Sequence, residues 1–193
     1  MSTHASLIER HTDATQKLIL SSAIELLEKL SVNQLTVRAV AKHAHISERT
    51  IFRYYASREE FLDAVAIALQ DYLHIPAPPN SIEDLSGYAR LLYQGFEEKA
   101  EFVKSSLHTE LFERMRHGLG IERGQAIQSI IQAYAPDRSD RDRKIVAGQI
   151  RYYLSASTWH YYRFHYGFSL EETIAAADLA IRLALQEISG TAQ

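Results

Sequence analysis

Apolar residues recur at i, i+3, i+4 and i+7 along nearly the whole chain, the spacing of one face of an α-helix, and no stretch reads convincingly as a strand. The pattern predicts helices over about 13–30, 36–44, 47–55, 57–74, 81–99, 101–117, 120–134, 139–166 and 169–189. Five starts carry a short acceptor three residues before an acid or amide: Asp13 with Gln16, Ser57 with Glu60, Ser81 with Asp84, Ser139 with Asp142, and Ser169 with Glu172. Between His74 and Asn80 the run HIPAPPN cannot stay helical, because Pro76, Pro78 and Pro79 remove donors and push their predecessors out of the helical region. The expected fold is therefore all-α with about nine helices. A small three-helix module at 10–73 precedes a larger helical bundle at 81–190.

The sharpest local signal is TVRAVAKHAHISERTIFRYYASREEFLDAV, two short amphipathic helices separated by a three-residue turn and followed by a third, capped one. In the first, Val37, Val40, Ala41 and Ala44 form one stripe and Thr36 is the cap, so Arg38 and Lys42 turn outward. In the second, Ser47 is the cap, and Ile51 and Tyr55 lie one turn apart on the buried side. At 100° per residue from Ile51, Arg49, Thr50 and Arg53 fall on the opposite side, with Phe52 and Tyr54 on the flanks. An α-helix presenting Arg and Thr in this way fits a DNA major groove. The guanidinium fork matches guanine acceptors, and Thr can bond to a base or touch a thymine methyl.

Charge sharpens this picture. The whole chain carries −3, which argues against a protein that coats nucleic acid indiscriminately, yet Thr36–Arg58 holds five bases (Arg38, Lys42, Arg49, Arg53, Arg58) against the single acid Glu48.

The quoted stretch resembles the TetR family of regulators: a Thr-capped helix, an alanine-rich helix end, a short turn ending in Ser, an aromatic-rich recognition helix, and a Ser with a basic residue opening the fourth helix. The specific resemblance covers roughly residues 10–70. It implies phosphate contacts for Thr36, Tyr54 and Arg58 and base contacts for Arg49, Thr50 and Arg53, within a DNA-facing set that also includes Arg38, Lys42 and Ser47. Two positions depart from the family pattern. His45 stands where the family often has Gly in the turn, which implies a positive φ that His tolerates better than most residues. Phe52 stands where the family often has Tyr, so one phenol-to-phosphate bond is missing.

In the last helix Ile174, Ala177, Ala180 or Ile181, Ala184 or Leu185, and Ile188 make an apolar, small-residue stripe. Such a stripe suits a four-helix interface between subunits and equally a core face of one subunit. The family resemblance favours the interface, hence a homodimer through the last two helices, bound to a palindromic DNA operator. The resemblance also implies a repressor relieved by a small-molecule effector. Aromatic residues crowd this half, and Tyr93, Phe96, Phe112, Met115, Tyr152 and Trp159 are the candidate ligand contacts for an amphipathic molecule.

Other chemistry finds little support. There is no Gly-rich phosphate loop, nucleophile elbow or metal-ligand helix signature, and adjacent acids such as Glu97 and Glu98 point about 100° apart on a helix, so no enzyme is expected. His160 with His165 and His43 with His45 have spacings of five and two, poor for one α-helical face, so no metal and no cofactor is expected. With no cysteine, no apolar run approaching the roughly 18 residues needed to span a bilayer, and no signal-peptide pattern at the start, the expectation is a soluble cytoplasmic protein that does not engage a membrane.

Overall fold

The computed structural model describes residues 7–30 and 34–190, and all their regular structure is helical. Helix α1 is Leu7–Leu27, α2 Val37–His43, α3 Glu48–Tyr54 and α4 Arg58–Tyr72. Then come α5 Ile82–Leu85, α6 Tyr88–Glu98, α7 Ala100–Ser106, α8 Glu110–Tyr134, α9 Asp140–Tyr153 and α10 Ala156–His160. A π-helical turn, Tyr161–His165, leads to α11, Leu170–Ser189.

Local chemistry sets most starts. Ser81 and Ser169 form full capping boxes with Asp84 and Glu172, and Ser139 accepts from the Asp142 amide. Ser57 accepts from the Glu60 amide at 3.1 Å, while the Glu60 carboxylate reaches back to the Ala56 amide at 2.7 Å. Asp13 is a correction. Helix α1 already begins at Leu7, so residue 13 lies inside it and opens nothing.

Two further boundaries differ from expectation. Helix α8 runs unbroken through Gly118, Gly120 and Gly124, and the interruption falls earlier, at 107–109. A helical glycine costs about 1 kcal/mol relative to alanine, which burial of Leu111, Ile127 and Ile131 along the same helix outweighs. The stretch expected as one helix over 139–166 breaks at Leu154. Ser155 is extended there (φ −138, ψ 154) and caps α10 by accepting from the Thr158 amide. The Thr158 hydroxyl donates to the freed Tyr152 carbonyl at 2.6 Å, so the break leaves that acceptor satisfied.

The described chain divides into two compact units. One comprises the chain up to Tyr72 together with His108–Met115; the other comprises Leu73–Leu107 and everything from Arg116 on. In the first, α1 packs on α2 and α4, and α2 on α3, around Ile19, Ala23, Val40, Ile51, Phe61 and Val65. In the second, α11 lies on α9 and α6 over a core containing Leu92, Tyr93, Ile150, Trp159, Ile174 and Ala177. Gly95 on α6 allows a close approach, since a Cβ there would stand 2.4 Å from the Leu73 carbonyl oxygen.

Candidate nucleic-acid interface

Helices α2 and α3 form the expected helix-turn-helix. Thr36 caps α2 by accepting from the Ala39 amide at 3.1 Å, and Ser47 caps α3 by accepting from the Thr50 amide at 3.1 Å. The turn between them is tight: the Ile46 amide donates to the Ala41 carbonyl, and His45 sits at φ 56, the left-handed conformation expected where the family often has glycine.

Burial of Val37, Val40, Ala41, Ile51 and Tyr55 fixes which faces point in. Arg38, Lys42, Arg49, Arg53 and Arg58 are all exposed, as are Thr36 and Ser47, whereas Thr50 and Tyr54 are half-buried. The Thr50 hydroxyl is shared with Ser47 at 2.9 Å, so both belong to the cap as well as to the outward face. Arg53 lies 5.3 Å from the centre of the Tyr54 ring, a cation–π contact that holds the guanidinium beside a flank of α3. Phe52 is 46% exposed, a large apolar side chain left on the same outer surface.

Arg58 is engaged inside the chain. Its Nη2 pairs with Glu110 at 3.1 Å, and Glu110 is shared with Arg114, which also pairs with Asp63 at 2.7 Å. These hydrogen bonds from Arg114 and Arg58 hold the Glu110 carboxyl below its ordinary value. The sequence alone gave no sign of this pairing, because 52 residues separate the two partners.

Of the six residues nominated for a ligand, the structure brings three together. Tyr93, Phe96 and Trp159 form one buried cluster, with ring centres 6.3 and 5.8 Å apart along the chain of contacts. Burial pushes the Tyr93 phenol up, and its hydroxyl donates to the Tyr153 carbonyl. Tyr152 is 62% exposed, and Phe112 and Met115 belong to the first unit. A cavity of about 520 Å³ in the second unit is lined instead by Asn80, Ile82, Ala126, Ile130, Ala133 and Tyr134, among others, and none of the six borders it.

The other candidates resolve into structural roles. Glu97 receives Trp159 Nε1 at 3.1 Å and Arg163 Nε at 2.9 Å, while Glu98 pairs with His74 at 2.8 Å, so the two acids diverge as helical geometry requires. His160 and His165 do come together, their ring centres 5.1 Å apart, because the π turn places i and i+5 on one face. Among the described residues no group of three potential ligands forms.

Helix α11 calls for a correction of its own. Ile174, Ala177, Ile181, Ala184 and Ile188 are buried within the chain, so this stripe is a core face. The outward side carries Ala175, Leu179, Leu183 and Gln186, and on α9 Ile145, Gln149 and Tyr152 are exposed.

Comparison with known proteins agrees with the geometry. Residues 19–65 match the family described as bacterial regulatory proteins, tetR family. An uncharacterised HTH-type transcriptional regulator of Bacillus subtilis (strain 168), YdeS, is 28% identical over 78 residues, which span 40% of this chain and 39% of that regulator. A TetR variant from Acinetobacter baumannii AYE, crystallised in complex with minocycline, shares the fold over 91% of this chain and 96% of that one, with a TM-score of 0.56 at 14% identity. The capped helix-turn-helix thus lies within the residues that match the tetR family of bacterial regulatory proteins, and the all-helical fold is shared with a solved TetR.

Proposed function

We propose that the protein is a transcriptional repressor that binds a palindromic operator as a homodimer and releases it when a small amphipathic effector binds the second unit. The observation that carries this reading is the exposed basic face of the helix-turn-helix, with Arg49 and Arg53 opposite the buried Ile51 and with Arg38, Lys42 and Arg58 around them. Arg49, Thr50 and Arg53 read base edges; Thr36, Arg38, Lys42, Ser47, Tyr54 and Arg58 hold phosphates. To reach a phosphate, Arg58 must leave Glu110. The pair is about half exposed on both sides, so it is screened and inexpensive to exchange for a phosphate.

The partner is a second copy of the chain. The exposed apolar residues of α9 and α11, which pack side by side, make one surface from Ile145, Tyr152, Leu179 and Leu183. Two such helix pairs form a four-helix interface, and the resulting two-fold axis sets the two α3 helices for a palindrome. The work of such a regulator is done on DNA in the cytoplasm, and no described helix is long and apolar enough to cross a membrane.

Selection of binding sites from random DNA, with light scattering of the free protein, tests the proposal. A palindromic consensus together with a dimer mass supports it. Failure to enrich any sequence, or a monomer at micromolar concentration, overturns it.

A further inference from the structure

Five arginines, Arg58, Arg90, Arg114, Arg143 and Arg163, each meet a carboxylate within the chain. Among the described residues Arg123 and Arg151 meet none. Arg123, on α8, is 6% exposed, the one charged side chain in the buried class among the described residues. Its Nε donates to the Tyr88 hydroxyl at 3.1 Å, that hydroxyl donates onward to the Pro76 carbonyl, and the guanidinium carbon lies 5.7 Å from the centre of the Tyr88 ring, so a neutral phenol and its π face meet this charge. Neither terminal nitrogen of Arg123 has a hydrogen-bond partner among the described residues.

Arg151, on α9, reaches the same stretch of α8. Its Nε donates to the Gly120 carbonyl at 3.3 Å and its Nη1 to the Leu154 carbonyl at 3.0 Å. A Cβ at Gly120 would stand 2.9 Å from Nη2, so the guanidinium lies close against the helix one turn before Arg123. Burial, with the positive charges of Arg123 and Arg116, pulls the Arg151 guanidinium down to about 10.

Two like charges in a poorly solvated interior repel and lose hydration, and hydrogen bonds to carbonyls and a phenol do not neutralise them. An apolar residue at 123 would pack at lower cost, since Ile127 and Ile131 share that buried side of α8. The arrangement makes sense when a negative charge arrives from outside. Ala126 and Ile130, which line the 520 Å³ cavity, follow Arg123 on α8 at i+3 and i+7, so the cationic group and the cavity share one helix face. A volume of that size suits a small molecule.

We propose that Arg123 and Arg151 are the anion-binding end of the effector site, and that the effector is a small amphipathic carboxylate whose apolar part fills the cavity beside Ala126 and Ile130. This rests on the effector-released reading above. The planar guanidinium fork matches a planar carboxylate edge, and a singly charged carboxylate gives up less hydration on entering an apolar cavity than a phosphate dianion does.

The test is thermal unfolding of the full chain against straight-chain carboxylates from acetate to dodecanoate, and against benzoate and naphthoate, with the matching alcohols, alkylamines and inorganic phosphate as controls. A saturable rise in Tm is expected for carboxylates of intermediate size, with none for the alcohols or amines. Arg123→Met weakens that binding by about 10–100-fold, and without ligand it raises Tm, because it removes an uncompensated buried charge. Arg123→Lys keeps the charge without the fork and retains part of the response. Equal responses of the wild type and Arg123→Met across the panel, an Arg123→Met protein less stable than the wild type without ligand, or phosphate acting as strongly as every carboxylate would each overturn the proposal. Operator release is scored separately. A carboxylate that binds through Arg123 without releasing DNA leaves the site standing and removes its regulatory role, whereas a neutral molecule that releases DNA keeps the regulatory role and removes the anion site.

Discussion

The helix-turn-helix and helix α11 carry equally regular patterns, yet one pattern indicated its environment and the other did not. In α3 the residues opposite the apolar stripe are charged, so the buried Ile51 and the exposed Arg49 and Arg53 fall where a helical wheel puts them. In α11 both sides carry alanines or leucines, the outer one with Arg182 and Gln186 among them. Ala177 and Ala184 face the core while Leu179 and Leu183 face out, and nothing local separates them. An element with one wholly polar side declares its orientation; an element with apolar side chains on both sides leaves it to its neighbours.

The hardest test of that contrast is a charge placed on each side of α11. Ala177→Glu, at a site with no exposure, costs about 4 kcal/mol or more and leaves little folded protein at ordinary temperatures, as circular dichroism would show. Leu183→Glu, at a site 54% exposed, keeps the helical spectrum and Tm of a folded chain but halves the mass in light scattering. If both variants unfold, the outward face of α11 is part of the core and the proposed dimer surface is lost.

Next in size is Glu97→Ala, which strands Arg163 and the Trp159 indole N–H in a largely buried place and lowers stability by about 2–3 kcal/mol in denaturant titration. Hydrogen bonds from Arg163 hold the Glu97 carboxyl below its ordinary value. Its contribution is therefore complete above the unfolded glutamate value of about 4.3 and disappears as the pH falls through the lower folded value. The gap between wild type and variant narrows as the acid limb is descended; a gap that widens there removes the ion pair as the cause.

On the first unit the expected effects are smaller and leave stability alone. Arg49→Ala weakens operator binding by about 1–3 kcal/mol and relaxes the base preference at one position, measured by fluorescence anisotropy on operator variants. Arg58→Ala weakens all sequences alike and lowers the salt slope by about one unit. Equal losses with unchanged base preference in both variants reassign the groove face of α3.

The smallest effect is a gain. Glu110→Gln frees Arg58 from an exposed ion pair and raises operator affinity by about two- to fivefold, and the gain vanishes in an Arg58→Ala background. Retention of the gain without Arg58 means that Glu110 acts through general charge.

What the sequence by itself determined about this protein is what short-range chemistry controls. Thr36, Ser47, Ser57, Ser81, Ser139 and Ser169 each satisfy amide groups a few residues away, and the three prolines after His74 end α4 wherever the rest of the chain lies. The helix-turn-helix and the outward placement of its bases follow from those signals, which is why the resemblance to the TetR family was legible in that region. The tertiary structure alone decided the burial of Ala177 and Ala184, the π turn that joins His160 to His165, the capture of Arg58 by Glu110, and the solvent-poor setting of Arg123 and Arg151. Each of these depends on a partner brought from another helix. An arginine at 123 among Ile127 and Ile131 is visible in the sequence as a charge on an apolar register, but only packing shows that it is buried with no carboxylate among the described residues to meet it.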